Sequence, residues 1–142
     1  MTVRKEMLVQ CPECKTNVAT TIFESLDVES DPQNKDAFLK GNTNLFQCKG
    51  CSFEAYFPAP FMYHDRENKI IAQCFPFAFL EEDAFFGNFT DDGKIILGRE
   101  DGAKHPEPDY FKDVHIVFSM EELVRYVTFR DRLREVKGRE GT

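Results

Sequence analysis

A mixed α+β architecture follows from three features of this 142-residue chain. Short β-branched and aromatic runs alternate with turn signals, paired cysteines sit between them, and a helical pattern closes the sequence. Residues 5–10 and 17–28 read as strands flanking the first cysteine pair; the second run carries Val18, Thr20, Thr21, Ile22 and Val28. Asp31 then Pro32 gives a helix start, with Asp as N-cap and Pro at the first helical position, and Gly41 gives its stop. Residues 44–47 and 53–57 predict short strands entering and leaving the second cysteine pair.

Further along, residues 61–64 and 69–75 predict a hairpin around the polar turn 65–68. The Phe-rich segment 77–86 fits either helix or loop. Asp92-Gly93 is a turn signal before the apolar run 95–97, and the charged, Gly- and Pro-containing residues 98–109 predict a mobile loop. Residues 114–118 alternate as a strand. Ser119 to Glu122 form a capping box, so a helix is expected from about Met120 to Lys137, ending at Gly138. Its stripe of Leu123, Val124, Val127, Phe129, Leu133 and Val136 should pack on the sheet. The expected whole is one domain over residues 1–142. A zinc ribbon over about 5–57, with an inserted helix, runs into an antiparallel sheet, and a C-terminal amphipathic helix packs on that sheet within about 58–138.

A chain of this length buries about 68–70% of its unfolded surface, and fifteen Phe supply ample apolar area for a core. A metal is therefore expected to organise one end of the fold rather than to hold all of it. The net charge of −7 opposes the phosphate backbone of nucleic acids. The polar N-terminus lacks an apolar signal core, and no stretch nears the ~18 apolar residues of a spanning helix. The expectation is a cytoplasmic chain with no membrane partner. In that reducing setting paired cysteines are metal ligands more often than disulfides.

Cys11-Pro-Glu-Cys14 and Cys48-Lys-Gly-Cys51 are two C-x-x-C units. Two intervening residues let both sulfurs of a pair converge on one ion, and two such knuckles complete a tetrahedral tetrathiolate site. Pro12 stiffens the first knuckle, and Gly50 is expected to supply a positive φ in the second. The 33 residues between the pairs exceed the ~15–20 of common four-cysteine sites, and the helix before Gly41 accounts for the excess. A thioredoxin-like redox role would want a C-x-x-C that opens a helix, whereas strand-like sequence follows Cys14. Zn²⁺ is the expected cofactor, and iron would take the same four ligands. Four thiolates close the coordination shell, so the metal reads as structural and no catalytic residue is assigned.

Other candidates have plainer explanations. Cys74 shares an apolar strand face with Ile70 and Ala72 and reads as a buried thiol. His64 and Asp65 are strand neighbours that point to opposite faces, and Asp65 opens a turn. His115 falls in a strand and His105 in the loop. Arg125, Arg130, Arg132, Arg134, Lys137 and Arg139 complement the dipole of the last helix, or form a phosphate or acidic-partner patch. Six rings between Phe75 and Phe89 supply core, with some left over for a dimer or partner surface.

From Glu6 to about Phe77 the sequence resembles the CpXC domain family. The likeness rests on Cys11-Pro-Glu-Cys14, the strand and helix after it, Cys48-Lys-Gly-Cys51, Tyr63-His64-Asp65 and a hydrophobic strand ending near Pro76. The stretch 114–136 is similar to that family's C-terminal part. Lys15 and Ser52 stand where the family tends to have Gly. The resemblance implies a zinc-ribbon-bearing domain of prokaryotic source and supplies no activity. The expected function is a protein-binding or adaptor module with a structural metal, acting on a protein partner or a second copy through ribbon loops or exposed Phe. A nucleic-acid-binding ribbon using the Arg-rich helix is the alternative. An enzyme is the least supported reading, because no nucleophile–base pair, phosphate-cradling loop or HExxH helix is found.

Overall fold

The computed structural model describes residues 2–96 and 113–140. The expectations placed on Leu97, on residues 98–109 and on His105 lie outside the described residues. In chain order the elements are β1 (Val3–Gln10), β2 (Asn17–Asp27), α1 (Gln33–Leu39), β3 (Leu45–Gln47), β4 (Glu54–Tyr56), β5 (Phe61–Asp65) and β6 (Ile70–Cys74). Two 3-10 turns (Phe77–Glu81 and Asp83–Asn88), β7 (His115–Val117) and α2 (Met120–Glu140) follow. Among the described residues no helix is long and apolar enough to cross a membrane.

The main sheet has the order β1-β2-β5-β6-β7, and β3-β4 forms a separate two-stranded sheet. The expected antiparallel sheet is in fact mixed. The pairs β1–β2 and β5–β6 are antiparallel, while β2–β5 and β6–β7 are parallel. Connection length explains this. A tight turn can only make an antiparallel pair, whereas residues 28–60 and 75–114 are long enough for the crossover that a parallel neighbour requires.

α1 ends in a Schellman motif: Gly41 sits at φ 80°, its N–H donates to Phe38 O at 2.9 Å, and Asn42 N–H donates to Ala37 O at 2.9 Å. At its start Pro32 occupies the cap position and Asp31 makes no side-chain cap, contrary to expectation. The Asp31 carboxylate instead accepts from Asn34 Nδ2 at 2.7 Å. Phe38, fully buried, stacks on Tyr63 with ring centroids 4.8 Å apart and on Phe61 at 5.9 Å. Those rings join Leu26, Ile70, Ala72, Cys74, Val117, Met120, Leu123 and Val127 in the principal core. β6, which lies between β5 and β7 inside the sheet, is buried along its whole length, Ile71 and Gln73 included.

The apolar stripe of α2 packs only in its first half. Leu123 and Val127 are fully buried, but Phe129, Leu133 and Val136 are exposed, contrary to the expectation that the whole stripe meets the sheet. A 21-residue helix is about 31 Å long, while the five-residue β5 and β6 span about 17 Å, so the helix overhangs its support. It also runs through Gly138 instead of stopping there. A glycine so near a helix end costs only about 1 kcal/mol.

Where α1, the β5–β6 turn and α2 meet, the chain buries charge. Asp65 is 4% exposed, with Lys35 Nζ 3.5 Å from it and 3.0 Å from Asp131. Asn68 bridges the two acids through Nδ2, at 3.2 Å from Asp65 and 2.7 Å from Asp131. Its backbone N–H donates to Asp65 Oδ1 at 3.1 Å, the turn role expected of that aspartate. Burial of a carboxylate is tolerable only with such partners. Next to this satisfied network, the fully buried Tyr63 hydroxyl has no hydrogen-bond partner among the described residues. Burial, then Asp65 and Asp131, push its pKa upward and keep it neutral. Replacement Tyr63→Phe removes an orphan polar atom and keeps the ring stack, so a gain of about 1 kcal/mol in urea unfolding is expected; a loss of stability would show that the hydroxyl is bonded.

Candidate metal centre

Each C-x-x-C unit occupies the tip of a hairpin. β1–β2 pairing ends at Gln10 with Asn17 and leaves residues 11–16 as the turn; β3–β4 pairing ends at Gln47 with Glu54 and leaves 48–53. The first turn is closed by Cys11 N–H donating to Thr16 O and Lys15 N–H to Cys11 O, both at 2.9 Å. In the second, Cys48 N–H donates to Phe53 O at 3.0 Å. Backbone N–H groups also reach the sulfurs, Gly50 to Cys48 Sγ at 3.3 Å and Phe53 to Cys51 Sγ at 3.5 Å. The two tips are thus built alike, each a knuckle carried by its own strand pair.

The glycine expectation is corrected. Lys15, not Gly50, takes the left-handed conformation, at φ 66°. A lysine there is strained by about 1–2 kcal/mol, and its Nζ folds back to donate to Pro12 O at 3.1 Å. Gly50 matters for space. A Cβ on it would lie 2.6 Å from Thr16 Oγ1 and 3.4 Å from Cys14 Sγ, so the second knuckle presses its bare backbone against the first.

The four sulfurs of Cys11, Cys14, Cys48 and Cys51 all lie within 4.8 Å of one another and could hold a metal ion. Cys11 Sγ is 3.7 Å from Cys51 Sγ, and Cys14 Sγ is 3.4 Å from Cys48 Sγ. Four sulfurs placed tetrahedrally at about 2.3 Å from zinc would be separated by about 3.8 Å, so the donor set fits such an ion. The local electrostatics favour one. Hydrogen bonds from the Thr16 side chain and backbone, then Cys48, pull the Cys14 thiol down to about 6. For Cys51 the Phe53 N–H favours the thiolate, but burial and the three neighbouring sulfurs outweigh it and push the thiol up to about 12. Without a cation the site can ionise one sulfur readily and resists ionising the last.

The family model described as CpXC protein matches residues 9–136, which take in both hairpin tips and all but the last turn of α2. The chain belongs to the CpXC family. No curated protein and no solved structure matches it.

In this CpXC protein the hairpin tips meet because a residue outside them docks one hairpin on the other. Asn44, 3% exposed and at φ 58°, accepts from Phe23 N–H at 2.7 Å and donates from Nδ2 to Phe23 O at 2.9 Å. Its own carbonyl accepts from Phe57 N–H at 2.8 Å. One residue thus ties β2, through its side-chain amide, to the start of the β3–β4 hairpin, and closes that hairpin's far end through its own carbonyl. Neither Asn44 nor Thr16 stands out in the sequence; the proximity of Thr16 to Cys14 is the only local cue. Beneath the sulfurs lies a small second core of Cys11, Val18 and Phe46, flanked by Val9, Cys48 and Phe53.

The remaining candidates are not brought to this centre. Cys74 is in the principal core, where burial pushes its thiol up to about 11. His64 and Asp65 point to opposite faces as expected, and burial lowers the His64 pKa. His115 stacks on Tyr126 with ring centroids 3.7 Å apart. Of the cations on α2, Arg132 pairs with Glu135 at 2.6 Å, Arg134 reaches Glu67 at 3.1 Å and Asn68, and Arg130 donates to Tyr126 Oη at 2.7 Å. The rings of Phe75, Phe79, Phe85, Phe89 and Phe118 pack edge-on and tilted around one another, while Phe77 and Phe86 are exposed.

The two knuckle positions should respond in opposite directions. Gly50→Ala forces Thr16 away from Cys14 at a cost of about 1–3 kcal/mol and weakens metal retention in chelator competition. Lys15→Gly relieves the left-handed strain and raises stability by up to about 1 kcal/mol. Equal retention by Gly50→Ala and wild type would show that the knuckles do not press together.

Proposed function

We propose that the four cysteines hold one structural Zn²⁺, that the two knuckled hairpins form a zinc ribbon, and that the protein is a binding module. The observation that carries the metal reading is the mutual approach of four sulfurs within 4.8 Å. Tetrathiolate donors suit zinc or iron; zinc is assigned because closed four-cysteine knuckles are its usual structural site. With four protein ligands no position is left for a water or substrate, which favours a structural role. Energetics agree. The small core under the sulfurs offers on the order of 5 kcal/mol of burial, against about 10–16 kcal/mol for binding of a structural zinc.

The binding surface is the Phe-rich face. A groove of about 470 Å³ is lined by Leu80, Phe85, Phe86, Phe89, Ile116 and Phe118. Phe77 is 71% exposed and Phe86 50%. Asp91 lines it too, and Glu81, Glu82, Asp83 and Asp92, neighbours in sequence of its lining residues, are exposed. An apolar groove lined by one carboxylate, in a stretch of chain rich in exposed acids, suits a protein segment that combines aliphatic and basic side chains. The nucleic-acid alternative has less support, because Arg132 and Arg134 on that helix are already paired with Glu135 and Glu67 within the fold.

Purified protein should carry one zinc per chain, and Cys11→Ser should lose it. Chelation should strip amide-exchange protection from residues 5–22 and 44–57 while β5, β6 and the first half of α2 keep theirs. Uniform loss of protection, or none, would argue against a zinc ribbon that staples one end. For the surface, a fluorescent Leu/Lys peptide should bind, and Phe77→Ser with Phe86→Ser should weaken it about tenfold; unchanged binding by the double variant would discard the Phe face as the binding surface.

A further inference from the structure

On this acidic chain one cleft gathers positive charge. It encloses about 520 Å³ and is lined by Lys69, Lys94, His115, Tyr126 and Arg130, with Asp113 as its one carboxylate. The cations come from three separate places: the end of the β5–β6 turn, the stretch after Gly93, and the middle of α2. Their convergence is a product of the fold and is invisible as a charge run in the sequence.

Arg130 is held in place rather than neutralised. Its NH1 donates to Tyr126 Oη at 2.7 Å, and NH2 donates to the carbonyl oxygens of Asn68 at 3.2 Å and Lys69 at 3.4 Å. All three acceptors are uncharged, and the guanidinium carbon lies 5.7 Å from the Tyr126 ring centroid. Among the described residues no carboxylate forms an ion pair with Arg130 or Lys69. Lys94 meets Asp113 at 3.8 Å, an exposed and weak pair. A purely structural arginine would fix the turn to α2 without two lysines at the same cleft. The His115 ring, parallel to Tyr126 at 7°, stands beside the same guanidinium; burial and that positive neighbour hold its pKa down and leave it neutral.

We infer that this cleft is a binding site for the phosphate group of a small molecule, held by Lys69, Lys94 and Arg130. A compact dianion satisfies point charges arriving from several directions, whereas a carboxylate would need only the arginine fork. The site is independent of the zinc centre and of the Phe groove, although Gly93 borders both clefts.

The test is a titration of the metal-loaded full chain with inorganic phosphate, followed by NMR at constant ionic strength. Saturable shifts confined to Lys69, Lys94, His115 and Arg130 are expected, with acetate binding more weakly. Lys69→Gln with Lys94→Gln, both exposed and harmless to the core, should weaken phosphate about tenfold. Asp113→Asn should tighten it, a change of sign that a structural role for these residues would not produce. Linear shifts without saturation, an undiminished response in the double variant, or acetate binding as tightly as phosphate would each overturn the proposal.

Discussion

Four thiols packed within 4.8 Å cannot share their space as four anions unless positive charge sits among them. The chain's own cations do not supply it. Lys15, directly after Cys14, turns its ammonium to the Pro12 carbonyl, and among the described residues Lys49, directly after Cys48, donates to no sulfur. The backbone N–H groups of Gly50 and Phe53 stabilise sulfur charge without cancelling it. A divalent ion, as proposed, resolves the conflict, and the geometry of both hairpins follows from meeting around it. Asn44 and the bare backbone of Gly50 then serve one purpose, to let the hairpin tips touch.

Stability is distributed unevenly as a result. Around Phe38, Phe61, Tyr63, Leu123 and Val127 the fold has a conventional aromatic and aliphatic core. Lys35, Asp65, Asn68 and Asp131 lock helices α1 and α2 to the β5–β6 turn beside it. At the other end, among the described residues, the buried cluster is just Cys11, Val18 and Phe46. Among the described residues β1 pairs with no strand but β2, and most of its residues are exposed. That end is too thin to hold itself, and the surfaces proposed for binding lie on the self-sufficient part. On this account the metal organises one end of the fold, and recognition is carried by the other.

Much of this was legible in residue order. Two C-x-x-C units separated by strand-helix-strand announced a shared site, and the capping box at Ser119 located α2, where Glu122 N–H donates to Ser119 Oγ at 3.1 Å. What could not be read was set by tertiary geometry. Strand direction depended on the long connections rather than on the strands, so an antiparallel sheet was expected where a mixed one exists. Leu133 and Val136 continue the pattern of Leu123 and Val127, yet the sheet ends before they reach it. Lys35 and Asp131 lie 96 residues apart and only the fold pairs them. Gly50 was expected to supply a positive φ, but the left-handed residue is Lys15, and what Gly50 contributes is the absence of a side chain.

The sharpest check is X-ray absorption at the zinc edge of the purified, metal-loaded protein. Four sulfur neighbours at about 2.3 Å, with no nitrogen or oxygen in the shell, are expected of Cys11, Cys14, Cys48 and Cys51 around one ion. A shell containing light atoms, fewer than four sulfurs, or a protein that retains no metal at all would contradict the common centre on which both hairpins depend.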